Sequence, residues 1–273
     1  MGEHVPLEEY GLIGNLETCA LVSADGSVDW CPLPHLESAS VFARILDAEV
    51  GGHFEIRPDA SYESTQRYLD KTNVLQTEFR TGMGELSVTD FMPVTDDDRV
   101  RERTLYRRVH CRQGTVDVAV VFEPRFDYAR GPTTLRPGDS GVYAESDDET
   151  LFLSTDLPFE IADDEATATA TLDAGDTEWF PLRYGDDDPI DAATGRRLLD
   201  ETVAYWRGWA HTCDESKCVF GGPWHDLVVR SGLTLKLLTH GETGAIAAAP
   251  TTSLPEEIGG VRNWDYRYNW IRD

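Results

Sequence analysis

The sequence predicts a mainly β protein, an antiparallel β-sandwich, followed by a helical segment. Two observations support this fold class. About ten short β-prone runs separated by turns fill the first two-thirds of the chain, which is typical of a sandwich. After Asp191 the spacing of apolar residues becomes helical.

The β-prone runs are short, and turn residues separate them. Asp25-Gly26 between two runs is a strong hairpin signal, because glycine tolerates a positive φ. Gln113-Gly114 is expected to separate two later strands, and residues 40–47 are expected to form a short helix or turn. The predicted strands are 16–22, 28–33, 53–57, 62–69, 74–80, 85–91, 104–112, 115–122, 141–145, 151–154, 167–172 and 177–184.

Two helices are predicted in the last third of the chain. The first presents one apolar face, formed by Leu199, Val203, Trp206 and Ala210. The second begins near Pro223, which suits a first-turn position, and its buried face would consist of Trp224, Leu227, Val228, Ser231, Leu235 and Leu238. The predicted domains are therefore a β domain (1–187), a helical linker (188–215) and the start of a helical domain (216–273).

The 273-residue chain is strongly acidic, with 24 basic and 50 acidic residues and a net charge of −26. Such a chain repels phosphate backbones, so we expect no nucleic-acid partner. No apolar run reaches the roughly 18 residues of a membrane span, and the N-terminus lacks the apolar stretch of a secretory signal. The sequence therefore predicts a cytoplasmic protein that binds neither nucleic acid nor membrane.

Nearly all of the basic residues are arginines, since lysine occurs only at Lys71, Lys217 and Lys236. At molar ionic strength the Debye length is about 3 Å, so the self-repulsion of this chain would be largely screened. Few lysines with many aspartates favour a protein from a halophile that accumulates salt. The alternative is an ordinary acidic mesophilic protein.

The five cysteines are irregularly spaced, which favours reduced thiols. His211, Cys213 and Cys218 could hold a metal, but no CxxC pair or HExxH motif accompanies them. A cysteine-bearing loop after a helix is therefore favoured, and no metal site is expected. The acidic runs at 96–98, 147–148 and 186–188 lack EF-hand spacing and are interpreted as solvated loops.

Aromatic and polar residues alternate over residues 264–270. In an extended segment, a period of two places Trp264, Tyr266, Tyr268 and Trp270 on one side and Asp265, Arg267 and Asn269 on the other. Sugars need this mixture, because their C–H faces stack on aromatic rings and their hydroxyls hydrogen-bond to carboxylate and guanidinium groups. The alternative is a core strand whose rings only pack, and the pattern favours neither.

Motifs at both ends of the chain resemble a known family. Residues 14–18 (GNLET) and 20–30 (ALVSADGSVDW) resemble the trehalase-like N-terminal domain of glycoside hydrolase family 15. Residues 248–256 (AAPTTSLPE) and 260–273 (GVRNWDYRYNWIRD) are similar to the opening of that family's catalytic domain. The resemblance implies an antiparallel super-β-sandwich joined to an (α/α)6 barrel. It also implies glucoamylase or trehalase activity, the inverting hydrolysis of α-glucosides such as maltooligosaccharides or trehalose.

The resemblance further implies which residues bind the substrate. Arg272 and Asp273 match the pair that holds the non-reducing glucose, with the arginine donating to hydroxyls and the carboxylate accepting from them. Trp264 and Trp270 would form the pocket wall. Asn269 stands where many relatives have cysteine. Hydrolysis by two carboxyl groups requires no cofactor.

In the family both catalytic glutamates lie downstream of the Arg-Asp pair, so no catalytic residue is expected in this chain. Glu256 and Glu257 lie in a Pro-flanked loop, and the family motif gives them no catalytic role. One helix and part of a second cannot close a barrel. We therefore expect a truncated, inactive N-terminal fragment whose second predicted helix leaves an apolar stripe exposed at Trp224, Leu227 and Leu235.

The sequence leaves two functions open. The first is a family 15 hydrolase acting on α-glucosides and represented by an incomplete chain. The second is a non-enzymatic β-sandwich module that docks onto a separate C-terminal catalytic half or binds glucan. The choice between trehalase and glucoamylase specificity also stays open.

Overall fold

A computed structural model describes residues 5–94, 103–185, 188–210, 218, 221–254 and 261–271. The strands are β1 (Tyr10–Gly14), β2 (Cys19–Ser23), β3 (Ser27–Trp30), β4 (His53–Pro58), β5 (Tyr62–Tyr68), β6 (Leu75–Thr81), β7 (Gly84–Phe91), β8 (Thr104–Glu123), β9 (Thr134–Gly138), β10 (Gly141–Ser146), β11 (Glu149–Ser154), β12 (Glu160–Ala162), β13 (Glu165–Asp173) and β14 (Thr177–Tyr184). The helices are α1 (Phe126–Ala129), α2 (Ala192–Trp209) and α3 (His225–Leu237), and a 3-10 turn spans Leu7–Glu9.

The strands form two antiparallel layers that share β8. One layer has the order β1-β2-β3-β4-β8-β13-β12, and the other has the order β5-β6-β7-β8-β14-β11-β10-β9. Burial alternates along β4, as in a strand with one face toward a core. Phe54 and Phe122 from the first layer share a buried core with Phe79 and Val88 from the second. The predicted antiparallel β-sandwich is confirmed.

The 20-residue strand β8 joins the two layers. Its first half pairs with β7 and β14, and its second half pairs with β4 and β13. Gly114 between the halves has a φ of +71°, and the register with β7 shifts beside it. The prediction that Gln113-Gly114 separates two strands is therefore wrong, because a bulge here bends the strand without ending it.

The hairpin predicted at Asp25-Gly26 is confirmed, with Gly26 at a φ of +80° between β2 and β3. Within residues 40–47, where a short helix or turn was expected, residues 44–46 form a turn and Ser40 forms an isolated bridge with Pro32. Strands β1, β9 and β12, which have five, five and three residues, were not predicted. Asp147 lies in an exposed turn, whereas residues 96–98 and 186–187 of the other acidic runs lie outside the described residues.

Helix α2 packs on the sandwich with the predicted face. It begins after Asp191, whose side chain accepts a hydrogen bond from the backbone of Thr194 at 2.7 Å and caps the helix. Leu199, Trp206 and Ala210 are buried, and the partly buried Val203 packs against the same cluster. This second core also contains Phe91 of β7 and Tyr106 of β8, so α2 covers the outside of the sandwich.

Helix α3 leaves its predicted apolar stripe exposed. Trp224 is 70% exposed, Leu227 59% and Leu235 55%. Its buried side is instead formed by Leu233 and Leu237, which pack against the sandwich. Of the predicted buried face, Trp224, Leu227, Val228, Ser231 and Leu235 are exposed and only Leu238 is buried.

Glycine is required where α3 meets β1. A Cβ on Gly14 would lie 2.8 Å from a methyl carbon of Leu237 and 2.6 Å from the carbonyl oxygen of Thr18. Arg230 of α3 also donates a hydrogen bond of 2.7 Å to the carbonyl of Thr72, and Asn73 donates one of 3.0 Å to the carbonyl of Leu233. The start of the predicted second domain is therefore bonded to the β domain.

Candidate substrate-binding segment

The aromatic segment, defined here as residues 261–271, contains no strand. Trp264 is 44% exposed and Tyr268 53% exposed, whereas Tyr266 and Trp270 stack on each other with ring centroids 5.3 Å apart. The expected alternation of four aromatic residues on one face is therefore wrong, and so is the alternative of a core strand. The buried residue of the segment is a polar one, Arg267.

Arg267 inserts its guanidinium group into the β domain, where the side chain is 3% exposed. Its Nε and Nη2 donate to the two carboxylate oxygens of Asp265 at 3.0 and 2.7 Å. Its Nη1 donates to the carbonyls of Leu36, at 3.1 Å, and Ser38. Nη2 also donates to the hydroxyl of Tyr128 at 2.7 Å. These partners hold the segment by a charge-assisted network.

Tyr128 reaches Arg267 from an unusual turn. Asp127, Tyr128 and Ala129 in α1 all have positive φ, between 51° and 64°. Each left-handed non-glycine residue costs about 1–2 kcal/mol. Such conformations persist only where the surrounding structure holds them, and here the Tyr128 ring lies 6.0 Å from the ring of Trp30 and its hydroxyl meets Arg267.

A second set of contacts joins residues 248–250 to the β domain and to the aromatic segment. The indole of Trp30 donates to the carbonyl of Pro250 at 2.9 Å. The amide of Ala248 donates to the carbonyl of Tyr268 at 3.1 Å, and the amide of Ala249 donates to that of Tyr266 at 2.9 Å. The motif around residue 250 and the aromatic segment therefore form one unit that rests on the β domain.

A cavity of about 270 Å³ lies between this unit, the β1–β2 loop and the end of α3. Its polar lining includes Glu17, Glu37, His240 and Asn269. Glu17 is already engaged, because its carboxylate lies 3.3 Å from Nδ1 of His35. The volume lies just below the roughly 300–1,000 Å³ of small-molecule sites, and the walls are mostly apolar, as they are in such sites.

The charged and thiol groups at this site have shifted pKa values. Burial raises the pKa of Asp265, but the hydrogen bonds from Arg267 outweigh it and the net pKa lies below the ordinary 3.8. Burial raises the pKa of the Cys19 thiol, which lines the cavity, to about 12. Cys19 is therefore a protonated thiol near neutral pH and is unsuited to act as a nucleophile.

Of the residues predicted to bind substrate, Trp264 and Trp270 lie in the aromatic segment, and Trp270 donates from its indole to the carbonyl of Asp265 at 3.2 Å. Arg272 and Asp273 lie outside the described residues, and so do Glu256 and Glu257. Sequence reasoning missed the roles of two residues. For Arg267 it left open a sugar-binding segment or a core strand, and for Tyr128 the sequence holds no local signal.

The structure describes only some of the residues on which the expectations of reduced thiols and of no metal site depend. His211 and Cys213 lie outside the described residues, and Cys218 Sγ lies 3.7 Å from Nδ1 of His225. Within the described ranges, no group of three or more His, Cys, Asp or Glu side chains is arranged to hold a metal ion. Free thiols are found at Cys19, Cys31, Cys111 and Cys218.

Comparison with known proteins gives two family matches that divide the chain. Residues 1–206 match the family described as trehalase-like, N-terminal, and residues 222–273 match glycosyl hydrolases family 15. None of the described helices combines the length and the apolar character that a membrane crossing requires.

Curated relatives align along almost the whole chain. It is 35% identical to a trehalase of Thermoplasma volcanium, covering 98% of this chain and 43% of that protein. It is 37% identical to trehalases of Thermoplasma acidophilum and Mycolicibacterium smegmatis, covering 93% and 98% of this chain and 44% and 43% of those proteins. The chain therefore spans less than half the length of these relatives. A putative kojibiose phosphorylase from human microbiome superposes with a TM-score of 0.46 at 11% identity, covering 90% of this chain and 45% of that one.

Proposed function

The chain belongs to the trehalase-like N-terminal family and continues into glycosyl hydrolases family 15, and from this premise we propose that it forms the N-terminal part of an enzyme that hydrolyses α-glucosides with inversion. Trehalose is the favoured substrate. The observation that carries this choice is the alignment of the chain, over 93–98% of its length, with proteins named trehalase. Maltooligosaccharides are the second candidate, as for a glucoamylase.

We propose that Arg272 and Asp273 bind the hydroxyls of the glucose unit next to the scissile bond. The guanidinium group would donate hydrogen bonds and the carboxylate would accept them, which suits a polyol. Trp264 and Trp270 would form the aromatic wall. The exposed ring of Trp264 and the anchored ring of Trp270 support this role, because an immobilised ring stacks on a sugar at low entropic cost.

The two catalytic carboxyl groups are proposed to lie outside these 273 residues. Inverting hydrolysis needs a general acid and a general base about 6.5–9.5 Å apart on opposite faces of the sugar. The relatives are more than twice as long as the aligned chain, which supports this proposal. The chain alone is therefore expected to release no glucose.

A non-enzymatic docking module is the second candidate function, and the exposed apolar face of α3 favours it. Trp224, Leu227 and Leu235 present a stripe that suits another helix. In this version the β domain (1–187), the helical linker (188–215) and the start of the catalytic domain (216–273) would bind a separately encoded catalytic half.

The decisive experiment follows the anomer of the released sugar. An enzyme in which this chain is completed by a family 15 catalytic half is incubated with maltose or trehalose in molar KCl and observed by proton NMR. Inversion predicts β-glucose first from maltose, and one α- and one β-glucose from trehalose. A completed protein that hydrolyses neither sugar contradicts the proposal.

The control is this chain alone, together with its Glu256→Gln and Glu257→Gln variants. We expect no glucose from any of them. Clear turnover by the unmodified chain that disappears in either variant would contradict the placement of the catalytic carboxyl groups. Arg272→Gln and Asp273→Asn in the completed enzyme are each expected to lower kcat/KM without changing the melting temperature.

A further inference from the structure

We propose that Arg267 is a positioning residue, which braces the aromatic segment against the β domain and so fixes the groups that meet the sugar. We call Arg267, Asp265, Tyr128 and the carbonyls of Leu36 and Ser38 the arginine brace. What the segment binds rests on the proposed function, but the brace itself rests only on contacts in the structure.

The hydrogen-bond inventory of Arg267 excludes direct sugar binding by this residue. A guanidinium group has five N–H donors in a rigid plane. Nε uses its hydrogen on Asp265, Nη1 uses two on Leu36 and Ser38, and Nη2 uses two on Tyr128 and Asp265. All five donors are therefore engaged, and the side chain is 3% exposed.

The brace reaches the aromatic wall through Asp265. The carboxylate of Asp265 accepts from Arg267, and its backbone carbonyl accepts from the indole of Trp270 at 3.2 Å. Trp270 in turn stacks on Tyr266 with the rings 21° from parallel. Because these contacts share one residue, a shift of Arg267 changes the orientation of the Trp270 ring.

The left-handed turn at residues 127–129 is part of the arginine brace. Its three consecutive strained residues carry the Tyr128 hydroxyl to Arg267, and Tyr128 packs beside Trp30, which bonds to Pro250. A right-handed turn at this place would point the side chain of Tyr128 elsewhere. The β domain thus contributes to the substrate site by ordering it.

Lysine cannot replace Arg267 in this role. Its ammonium group carries three donors at a single point, so it cannot span both oxygens of Asp265, the Tyr128 hydroxyl and two carbonyls. The variants for the test are therefore Arg267→Lys and Tyr128→Phe. The matched control is Arg262→Lys, an exposed arginine in the same segment.

The first measurement is amide hydrogen exchange by NMR on the 273-residue chain. The reporters are the amides of Ala248, Ala249 and Arg267, which donate to Tyr268, Tyr266 and the Asp265 carboxylate. We expect their exchange to accelerate about 10- to 100-fold in Arg267→Lys and up to about tenfold in Tyr128→Phe. The amide chemical shifts of β8 in Arg267→Lys, and the exchange rates of the whole Arg262→Lys chain, should be unchanged.

Unchanged exchange at the reporters in Arg267→Lys overturns the proposal. Chemical-shift changes in β8 as large as those in the aromatic segment also overturn it, because Arg267 would then support the whole fold. If Arg267→Lys does not fold, the exchange of the reporters in Tyr128→Phe is the test, since this variant keeps the ring and removes only the hydroxyl, which accepts from Arg267 and donates to the carbonyl of Ser38 at 3.4 Å.

The second measurement is a titration with trehalose and maltose, followed through the indole resonances of Trp264 and Trp270. We expect Arg267→Lys to weaken the affinity about tenfold at a temperature at which the variant is fully folded. Accelerated exchange with unchanged affinity contradicts the positioning role. A wild-type chain that binds neither sugar counts against the proposed function, and the exchange result then tests the brace separately.

Discussion

Replacing Arg107 with methionine should destabilise the sandwich more than any exposed substitution. Arg107 and Asp90 are both fully buried, and Nε of Arg107 lies 2.8 Å from the Asp90 carboxylate. The same guanidinium group donates to the carbonyls of Gly26, at 2.6 Å, and Phe54. It therefore ties the β2–β3 turn and β4 to the strand pair β7 and β8.

Removing the cation leaves a buried carboxylate without its counter-charge. Breaking such a pair costs about 3–5 kcal/mol. For a chain of this size the loss corresponds to a fall in melting temperature of about 6–20 °C. Arg112→Met is the matched control on the same strand, because Arg112 forms only an exposed pair with Glu78 and should lose at most about 1 kcal/mol.

The pH dependence of the loss provides a second check. Burial raises the pKa of Asp90 above the ordinary 3.8, while Arg107 lowers it. Without Arg107 the carboxyl group holds its proton to higher pH in the folded state than in the unfolded one. The Arg107→Met variant should therefore lose stability as the pH rises through the range above 3.8. The difference between its free energy of unfolding and that of the wild type should be smaller in acid.

The assay is urea unfolding at pH 4 and pH 7 in constant high salt, with Arg107→Met, Asp90→Asn and the double variant. The double variant buries no charge, so it should recover at least about 1 kcal/mol relative to the sum of the single losses. A loss below about 1 kcal/mol for Arg107→Met at pH 7, or strict additivity, would refute the reasoning.

Four further predictions follow from the same structure. Ala129→Gly should raise the unfolding free energy by up to about 1 kcal/mol in a thermal melt, because glycine removes a left-handed strain; a lower melting temperature would contradict the turn. Burial raises the pKa of Asp265, but Arg267 lowers it by more, so the net pKa lies below 3.8. The bond between Asp265 and Arg267 should therefore be present above pH 3.8 and lost as the pH falls through the lower pKa of the folded state. A tryptophan-fluorescence titration should show this transition in the wild type and not in Asp265→Asn, and identical curves for the two chains would count against it. The double variant Leu227→Lys, Leu235→Lys should change the free energy of unfolding by no more than about 0.5 kcal/mol, because both side chains are exposed. It should also reduce any self-association seen by ultracentrifugation. A marked destabilisation would mean that the apolar stripe of α3 is packed. The free energy of unfolding should rise between about 0.1 M and molar KCl if the acidic surface is an adaptation to salt. A free energy of unfolding that does not change over this range would contradict that interpretation.

The aromatic segment shows where sequence reasoning stopped. Strict alternation over residues 264–270 predicts a strand, because adjacent residues would then face opposite ways. The chain instead follows Arg267 inward, since partners for its donors come from residues 36, 38 and 128. Those residues lie more than 130 positions away, so no local pattern contains them.

The strand β8 shows a similar limit. Glycine after a polar residue predicts a turn, and residues on both sides of Gly114 alternate like two separate strands. Pairing with β7 and β14 on one side and β4 and β13 on the other holds them as one strand. A positive φ at glycine serves a turn or a bulge equally well, and only the neighbouring strands decide between them.

Periodicity, turn residues and two end motifs by themselves determined the sandwich, the buried face of α2 and the family. These features depend on local spacing, which a sequence records directly. The tertiary structure alone decided that Arg267 points inward, that Tyr128 meets it from a left-handed turn, and that Leu233 and Leu237 bury α3 against β1. Each of these depends on groups distant in the chain, because the donors of a buried guanidinium group must find acceptors, and apolar side chains must find an apolar surface, wherever the fold supplies them.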